Sequence, residues 1–413
     1  MRRAILALVV ILGAMAGTGY VTCSQAQGST APYTPEEFAV TLELTGSPVP
    51  LGAYGDWVVF MEVDFGGVKS LGGVNLKDGE TFSADISYAS SSRPIAIYGN
   101  RVVWATGSAP GRIELYNLAT GGRRVILERQ TAIHHVDLWE DMLIWQERAP
   151  SGEQSVLKAL DLATEEEYTI VTGRQANPRL SGDLIVWEQA EEAGKQRDVY
   201  GYRFSTRETF PIAKNPWEEY QPVIYGDIVV WVDERSPSSS EAAVYGNADL
   251  YAMDLSTGEE FPICTAQGRQ TSPSIWGDLV VWEDERDASG LSGTDIYGYD
   301  LAKEQEFTVS RHIARQSAPT IHEATVLWVD WRNSPQVKYS TGEMRGARLL
   351  DKPGPHPLPV TGAPKAFDGL IQVVWPHSGQ PGTDTDMVNI GAFLFAPQGT
   401  RREVPCGFDP PLQ

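Results

Sequence analysis

The chain has 413 residues, 42% hydrophobic and 10% aromatic, which is enough apolar material to exclude a globally disordered protein. Lys and Arg number 33 against 54 Asp and Glu, and a net charge of -21 repels phosphate backbones and anionic headgroups, which excludes nucleic acid as a partner. Three cysteines are too few for a disulfide scaffold and too scattered for zinc.

The chain opens with Met1-Arg2-Arg3 and an apolar run from Ala4 to Ala16, the pattern of an export signal. Small residues permit cleavage after Ala16 or Ala26, and residues 1–26 are read as the leader. Cys23 leaves open a lipid anchor, although Tyr20-Val21-Thr22 makes a poor lipobox. Gly13, Gly17 and Gly19 weaken the segment as a membrane span. The body is therefore expected outside the cytoplasm, whether secreted, periplasmic or held at the cell surface, with no span of its own.

From residue 36 onward one phrase recurs. It reads Gly55-Asp56-Trp57-Val58-Val59-Phe60, then Gly99 to Trp104, Glu140 to Trp145, Gly182 to Trp187, Gly226 to Trp231 and Gly277 to Trp282. Weaker copies run from Glu323 to Trp328 and from Leu370 to Trp375. The closing aromatics stand 41 to 51 residues apart, giving eight copies. Before the phrase comes a segment such as Pro273-Ser274-Ile275; after it comes an alternating one such as Asp295-Ile296-Tyr297-Gly298-Tyr299. A turn and a fourth segment such as Glu260-Phe261-Pro262-Ile263 complete the period, so each copy spells four antiparallel strands and no helical period interrupts them. One such unit cannot bury both its faces alone. The pattern predicts an all-β chain: a single β-propeller over residues 36–406, with a tail at 407–413. Eight copies are counted, and seven blades remain open, because Glu36-Glu37-Phe38 reads like Glu259-Glu260-Phe261, a fourth strand lacking its own blade and able to clasp the last one.

The fullest copy runs Gln270-x-x-Pro273-x-Ile275-x-Gly277-Asp278-Leu279-Val280-Val281-Trp282-Glu283-Asp284-Glu285-Arg286, then Asp295-Ile296-Tyr297-Gly298-Tyr299-Asp300-Leu301. This wording resembles the TolB-like repeats of bacterial and archaeal cell-surface β-propellers. The resemblance covers residues 36 to 406 and is densest from Gly182 to Arg332. It implies a secreted or periplasmic propeller used mostly to bind a protein or ligand, with some relatives carrying an added peptidase or lyase function. It brings no catalytic motif with it.

The recurring Asp-x-Arg endings (Asp233/Arg235, Asp284/Arg286 and Asp330/Arg332) are read as strand-end fasteners, since an active site occurs once. The Arg-Gln pairs at Arg129, Arg174, Arg269 and Arg315 fall where one repeat leads into the next, and there they would form a partial cationic collar for an anion. Places where the repeat breaks are the other candidates, because packing does not dictate them. Trp217-Glu218-Glu219-Tyr220 replaces the Arg-Gln wording, and His134-His135 occupies the matching position of an earlier copy. Together they offer an aromatic surface, two carboxylates and two imidazoles, a set suited to sugar stacking or acid-base work. Adjacent histidines point opposite ways on a strand, so no metal site is expected. No nucleophile elbow, phosphate loop or dinucleotide fingerprint occurs, so no cofactor is expected either. Cys264 and Cys406 fall in outer strands of separate repeats, too far apart to be joined. The reading is a monomeric, non-enzymatic module that binds a protein or polysaccharide partner through one face. The alternative is a carbohydrate-active enzyme, a polysaccharide lyase or glycoside hydrolase.

Overall fold

The computed structural model describes residues 32–351 apart from 41, 43, 45, 65–66, 89–94, 107–108, 149–153, 192–195, 236–246, 288–292 and 334–341. The last copy of the phrase, the tail and the leader lie outside the described residues, as do Cys23 and Cys406.

The four-strand grammar folds as it reads. After β1 (Tyr33–Val40), the first sheet holds β2 (Ser47–Tyr54), β3 (Trp57–Asp64), β4 (Gly67–Asn75) and β5 (Thr81–Tyr88). The second holds β6 (Ile95–Tyr98), β7 (Arg101–Ala105), β8 (Gly111–Asn117) and β9 (Arg123–Arg129). Then come β10 (Ile133–Trp139), β11 (Met142–Arg148), β12 (Ser155–Asp161) and the long β13 (Glu167–Ser181), which ends the third sheet and begins the fourth without a loop. The fourth continues with β14 (Leu184–Ala190), β15 (Arg197–Arg203) and β16 (Glu208–Ala213). The fifth is β17 (Glu219–Tyr225), β18 (Ile228–Asp233), β19 (Asp249–Asp254) and β20 (Glu259–Cys264). The sixth is β21 (Gln270–Trp276), β22 (Leu279–Asp284), β23 (Asp295–Asp300) and β24 (Gln305–Ser310). The seventh is β25 (Gln316–His322), β26 (Thr325–Asp330) and β27 (Glu343–Asp351), and its fourth strand is β1, antiparallel to β27 from Tyr33↔Asp351 to Val40↔Met344.

The recurrent phrase is the second strand of each sheet. Its apolar residues run without alternation because both faces are covered. Trp104, Trp145, Trp187, Trp231, Trp282 and Trp328 are all fully buried. Each hydrophobic cluster lies between two consecutive sheets; Trp104 packs with Leu51 and Leu71, and Leu327 of the seventh sheet packs with Val58 and Phe60 of the first. The turn before the phrase is a two-residue hairpin whose first position takes a left-handed backbone, φ +57° at Gly277. Where glutamate replaces glycine the geometry is kept, with φ 48° at Glu140 and 53° at Glu323.

The Asp-x-Arg endings fasten the sheets. Asp284 accepts the Trp282 indole N–H (2.8 Å), the Arg286 backbone N–H (2.8 Å) and the Arg286 guanidinium, which crosses the Tyr297 ring to reach Glu306 on the fourth strand. Asp233 and Asp330 repeat the node, with Glu260 and Glu37 in the place of Glu306. In the last two of these sheets glycine on the third strand faces phenylalanine on the fourth: Gly298↔Phe307 in the sixth and Gly346↔Phe38 in the seventh. Thus β1 supplies both the glutamate and the phenylalanine that a fourth strand owes its sheet. Cys264, buried in β20, receives a hydrogen bond from Arg286 at 3.0 Å.

Candidate functional site

Among the described residues the first strands of successive sheets touch in order, β2, β6, β10, β13, β17, β21 and β25, and β25 touches β2. They run the same way, because their last residues meet. Tyr98, Trp139, Tyr225, Trp276, His322 and Tyr54 form a series of ring contacts 3.9 to 6.0 Å apart. In β13 the matching residue is Ser181, whose hydroxyl accepts the Gly226 N–H at 2.9 Å. The loops that lead into these strands consequently share the opposite end, and the candidates named from sequence lie on or near them.

His134 and His135 lie inside β10, not in a loop. His135 is buried, with Nδ1 3.1 Å from Gln146 Oε1 and Nε2 3.1 Å from Asn177 Oδ1. Burial, with the Arg179 charge, pushes its pKa down to about 4, so the ring is neutral at pH 7. His134 points the other way and is half-buried; desolvation lowers its pKa too.

Asn177 continues the network. Its amide donates to Glu188, which also accepts the Gln221 N–H at 2.7 Å, while the Gln221 side chain accepts the Ser272 N–H at 2.9 Å. In the next sheet Glu283 takes the Ala318 N–H at 2.7 Å. Asn177, Gln221, Ser272 and Ala318 each precede a proline and adopt left-handed backbone at a bulge. The bulge turns an N–H out of the ladder, and the neighbouring sheet supplies the acceptor.

Glu218, Glu219 and Tyr220 begin the fifth sheet, and each has a different fate. Glu218 is ion-paired with Arg197 at 2.8 Å, and Arg197 lies 4.4 Å above the Tyr220 ring. The Tyr220 hydroxyl is 3.0 Å from Glu234 and 2.9 Å from Arg269, and burial pushes its pKa up to about 12. Glu219 is fully buried: Oε1 accepts the Asn215 N–H at 3.0 Å, and Oε2 has no partner among the described residues. Desolvation first, and then the charges of Asp233 and Asp198, push its pKa up to about 7. Trp217, just ahead, is 50% exposed.

The arginines are dispersed. Arg129 ends the fourth strand of its sheet and pairs with Glu167 and Glu147. Arg269 holds Tyr220 beside Glu234, and Arg315 lies 5.4 Å above the Trp331 ring. Arg174 is half-buried within β13, where the third sheet passes into the fourth. The structure thus unites Arg269 with Tyr220, and Glu218 with Tyr220 through Arg197. His135 reaches them only indirectly, through Asn177 and Glu188, whose other oxygen accepts Arg197. Among the described residues no group of three His, Cys, Asp or Glu side chains is placed to hold a metal ion.

Sequence reasoning missed Ile313, 86% exposed in the loop before β25 and so on the same end as Trp217. The available signal was an isolated apolar residue between His312 and Ala314 outside the repeat grammar.

These features define a β-propeller, and the solved structures it matches are of that class. The propeller domain of the Trilobed protease from Pyrococcus furiosus matches at 13% identity over 74% of this chain and 95% of that one, with a TM-score of 0.53. Acylaminoacyl peptidase from Pyrococcus horikoshii matches at 13% identity and a TM-score of 0.52, over 73% of this chain and 52% of that one, so the chain spans about half that peptidase's length. TolB from Acinetobacter baumannii aligns more loosely, at 10% identity over 71% and 80% with a TM-score of 0.39. No family model and no curated protein sequence matches the chain. Among the described residues no helix is long and apolar enough to cross a membrane.

Proposed function

We propose that the chain is an exported, TolB-like propeller of seven blades, closed by β1 on β27, that binds a protein or polysaccharide partner without transforming it. The binding face is the end where the first strands begin. The observation that carries this reading is the contrast between two sets of residues on that face. Of the polar groups suited to catalysis, His135 is held by Gln146 and Asn177 and Glu218 by Arg197, while Glu219, whose Oε2 has no partner among the described residues, is sealed from solvent. The large apolar groups Trp217 and Ile313 instead stand in solvent. Exposed aromatic and aliphatic anchors are what a binding surface offers. The seven-blade reading rests on the hydrophobic cluster shared by the seventh and first sheets and on the strand supplied by β1.

The test is a polysaccharide and protein-ligand array probed with the full chain, with mass analysis of every ligand retained. The expected result is retention of an unaltered ligand, weakened at least tenfold in a Trp217→Ala/Ile313→Ser variant whose melting temperature is unchanged. Release of unsaturated or reducing sugar would establish the lyase or hydrolase alternative instead. Undiminished binding by the double variant would move the site to another surface.

A further inference from the structure

Three residues before the turn end, each first strand places a side chain toward the axis that the strands surround. In β2, β6 and β17 these are Gly52, Ala96 and Val223, which bring no side-chain donor or acceptor. In β10, β13, β21 and β25 they are Asp137, Arg179, Ser274 and Thr320. All line a cavity of about 130 Å³, with Trp276 and His322 at its aromatic end. This volume accommodates several waters or one small oxyanion.

Arg179 is the only cation in this layer, and its guanidinium is poorly matched by the protein. Nη1 donates to the Pro178 carbonyl at 3.1 Å. Nε is shut off from solvent with no acceptor, and no acceptor for Nη2 occurs among the described residues. The two nearby carboxylates are committed elsewhere. Asp137 accepts the Leu138 N–H at 3.0 Å and the Leu180 N–H at 2.9 Å. Glu188 takes the Asn177 and Gln221 donors on one oxygen and Arg197 on the other. Neither is within ion-pair distance of Arg179. The half-buried guanidinium lines the cavity, so with Nε sealed and Nη1 on the Pro178 carbonyl, Nη2 is the donor left for a charge-assisted hydrogen bond to a carboxylate or phosphate.

We propose that Arg179 and the cavity it lines form a binding site for a small oxyanion, a carboxylate or phosphate group held by Nη2 with the Ser274 and Thr320 hydroxyls in the same layer. The site is separate from the face bearing Trp217 and Ile313, and it stands whether or not that face binds a polymer. The sequence carries its mark: in the Pro-x-Ile grammar the middle residue is Val223, Ser274 or Thr320 elsewhere, and only in β13 is it arginine.

The experiment titrates the full chain with acetate, phosphate and sulfate at pH 7, with ionic strength held constant by sodium chloride, and reads calorimetric binding and melting temperature. The wild type should show saturable binding of at least one of the three and a matching rise in melting temperature. Arg179→Met should lose it, and Arg179→Lys, which keeps the charge but cannot hold the Pro178 carbonyl and the ligand with two fixed donors, should bind at least tenfold more weakly. If Arg179→Met does not fold, Arg179→Lys and Thr320→Val decide by the same tenfold criterion. No saturable response in the wild type, or equal affinity in the folded variants, overturns the proposal.

Discussion

At the head of β17 a glutamate stands where the next two sheets have glutamine, and the swap can be reversed. Gln270 and Gln316 are as fully buried as Glu219 and oppose Asp284 and Asp330, just as Glu219 opposes Asp233. A neutral amide suits a place beside a carboxylate; a second carboxylate does not. Burial therefore moves Glu219 from its ordinary 4.5 to about 7. Because the folded protein holds this proton more tightly than the unfolded chain, stability is unaffected below pH 4.5, falls between 4.5 and 7, and is flat above. The full difference is about 3 kcal/mol, at about 1.4 kcal/mol for each pH unit separating the two values. Glu219→Gln removes this dependence, while the titrating groups that do not interact with Glu219 are common to both proteins and cancel in their difference. Urea denaturation of both proteins at pH 4.5, 6, 7 and 8 measures it. The variant should match the wild type at pH 4.5 and exceed it by about 3 kcal/mol at pH 8. An equal difference at both ends of the range would show that Glu219 titrates normally, and the reasoning would fail.

Other consequences follow from packing and fasteners. A Cβ at Gly298 would lie 2.4 Å from Phe307 Cζ, so Gly298→Ala should cost about 1 to 3 kcal/mol in urea denaturation, with Phe307→Leu restoring part of it. Asp284→Ala removes the acceptor of the Trp282 indole N–H and leaves the Arg286 guanidinium with Glu306, and should lower stability by about 1 to 3 kcal/mol. Glu323→Gly places glycine where the backbone is already left-handed and should gain up to about 1 kcal/mol, seen as a higher melting temperature.

Much of the fold was legible because it is repetitive. Val280-Val281-Trp282 and its counterparts announced strands covered on both faces, and Pro273-Ser274-Ile275 announced the strand before them. The likeness of Glu36-Glu37-Phe38 to Glu259-Glu260-Phe261 marked β1 as a fourth strand. The structure explains why, since Glu37 holds Arg332 and Phe38 covers Gly346. The candidate face was legible only in part. That Trp217 and Glu218 break the pattern was visible; that Glu219 would be sealed from water beside Asp233 was not, because a strand's period shows which side a residue takes but not what covers it. His135 looked like a loop imidazole until Gln146 and Asn177, 11 and 42 residues away, were seen to hold it. The ring contacts from Tyr98 to Tyr54 were missed although each residue directly precedes a turn, since side chains from six repeats meet only once the sheets are arranged around an axis.

The strand β1 also has a meaning in time. It is made well before its partner β27, which lies some three hundred residues later, Tyr33 facing Asp351. Until β27 exists, β1 carries a complete row of unmatched N–H and C=O groups, with Phe38 unpacked beside them. The other sheets can assemble from near neighbours as they emerge, whereas this one waits for nearly the whole described chain. The β1–β27 pairing is thus a contact of long sequence separation, slower to form than the hairpins beside it.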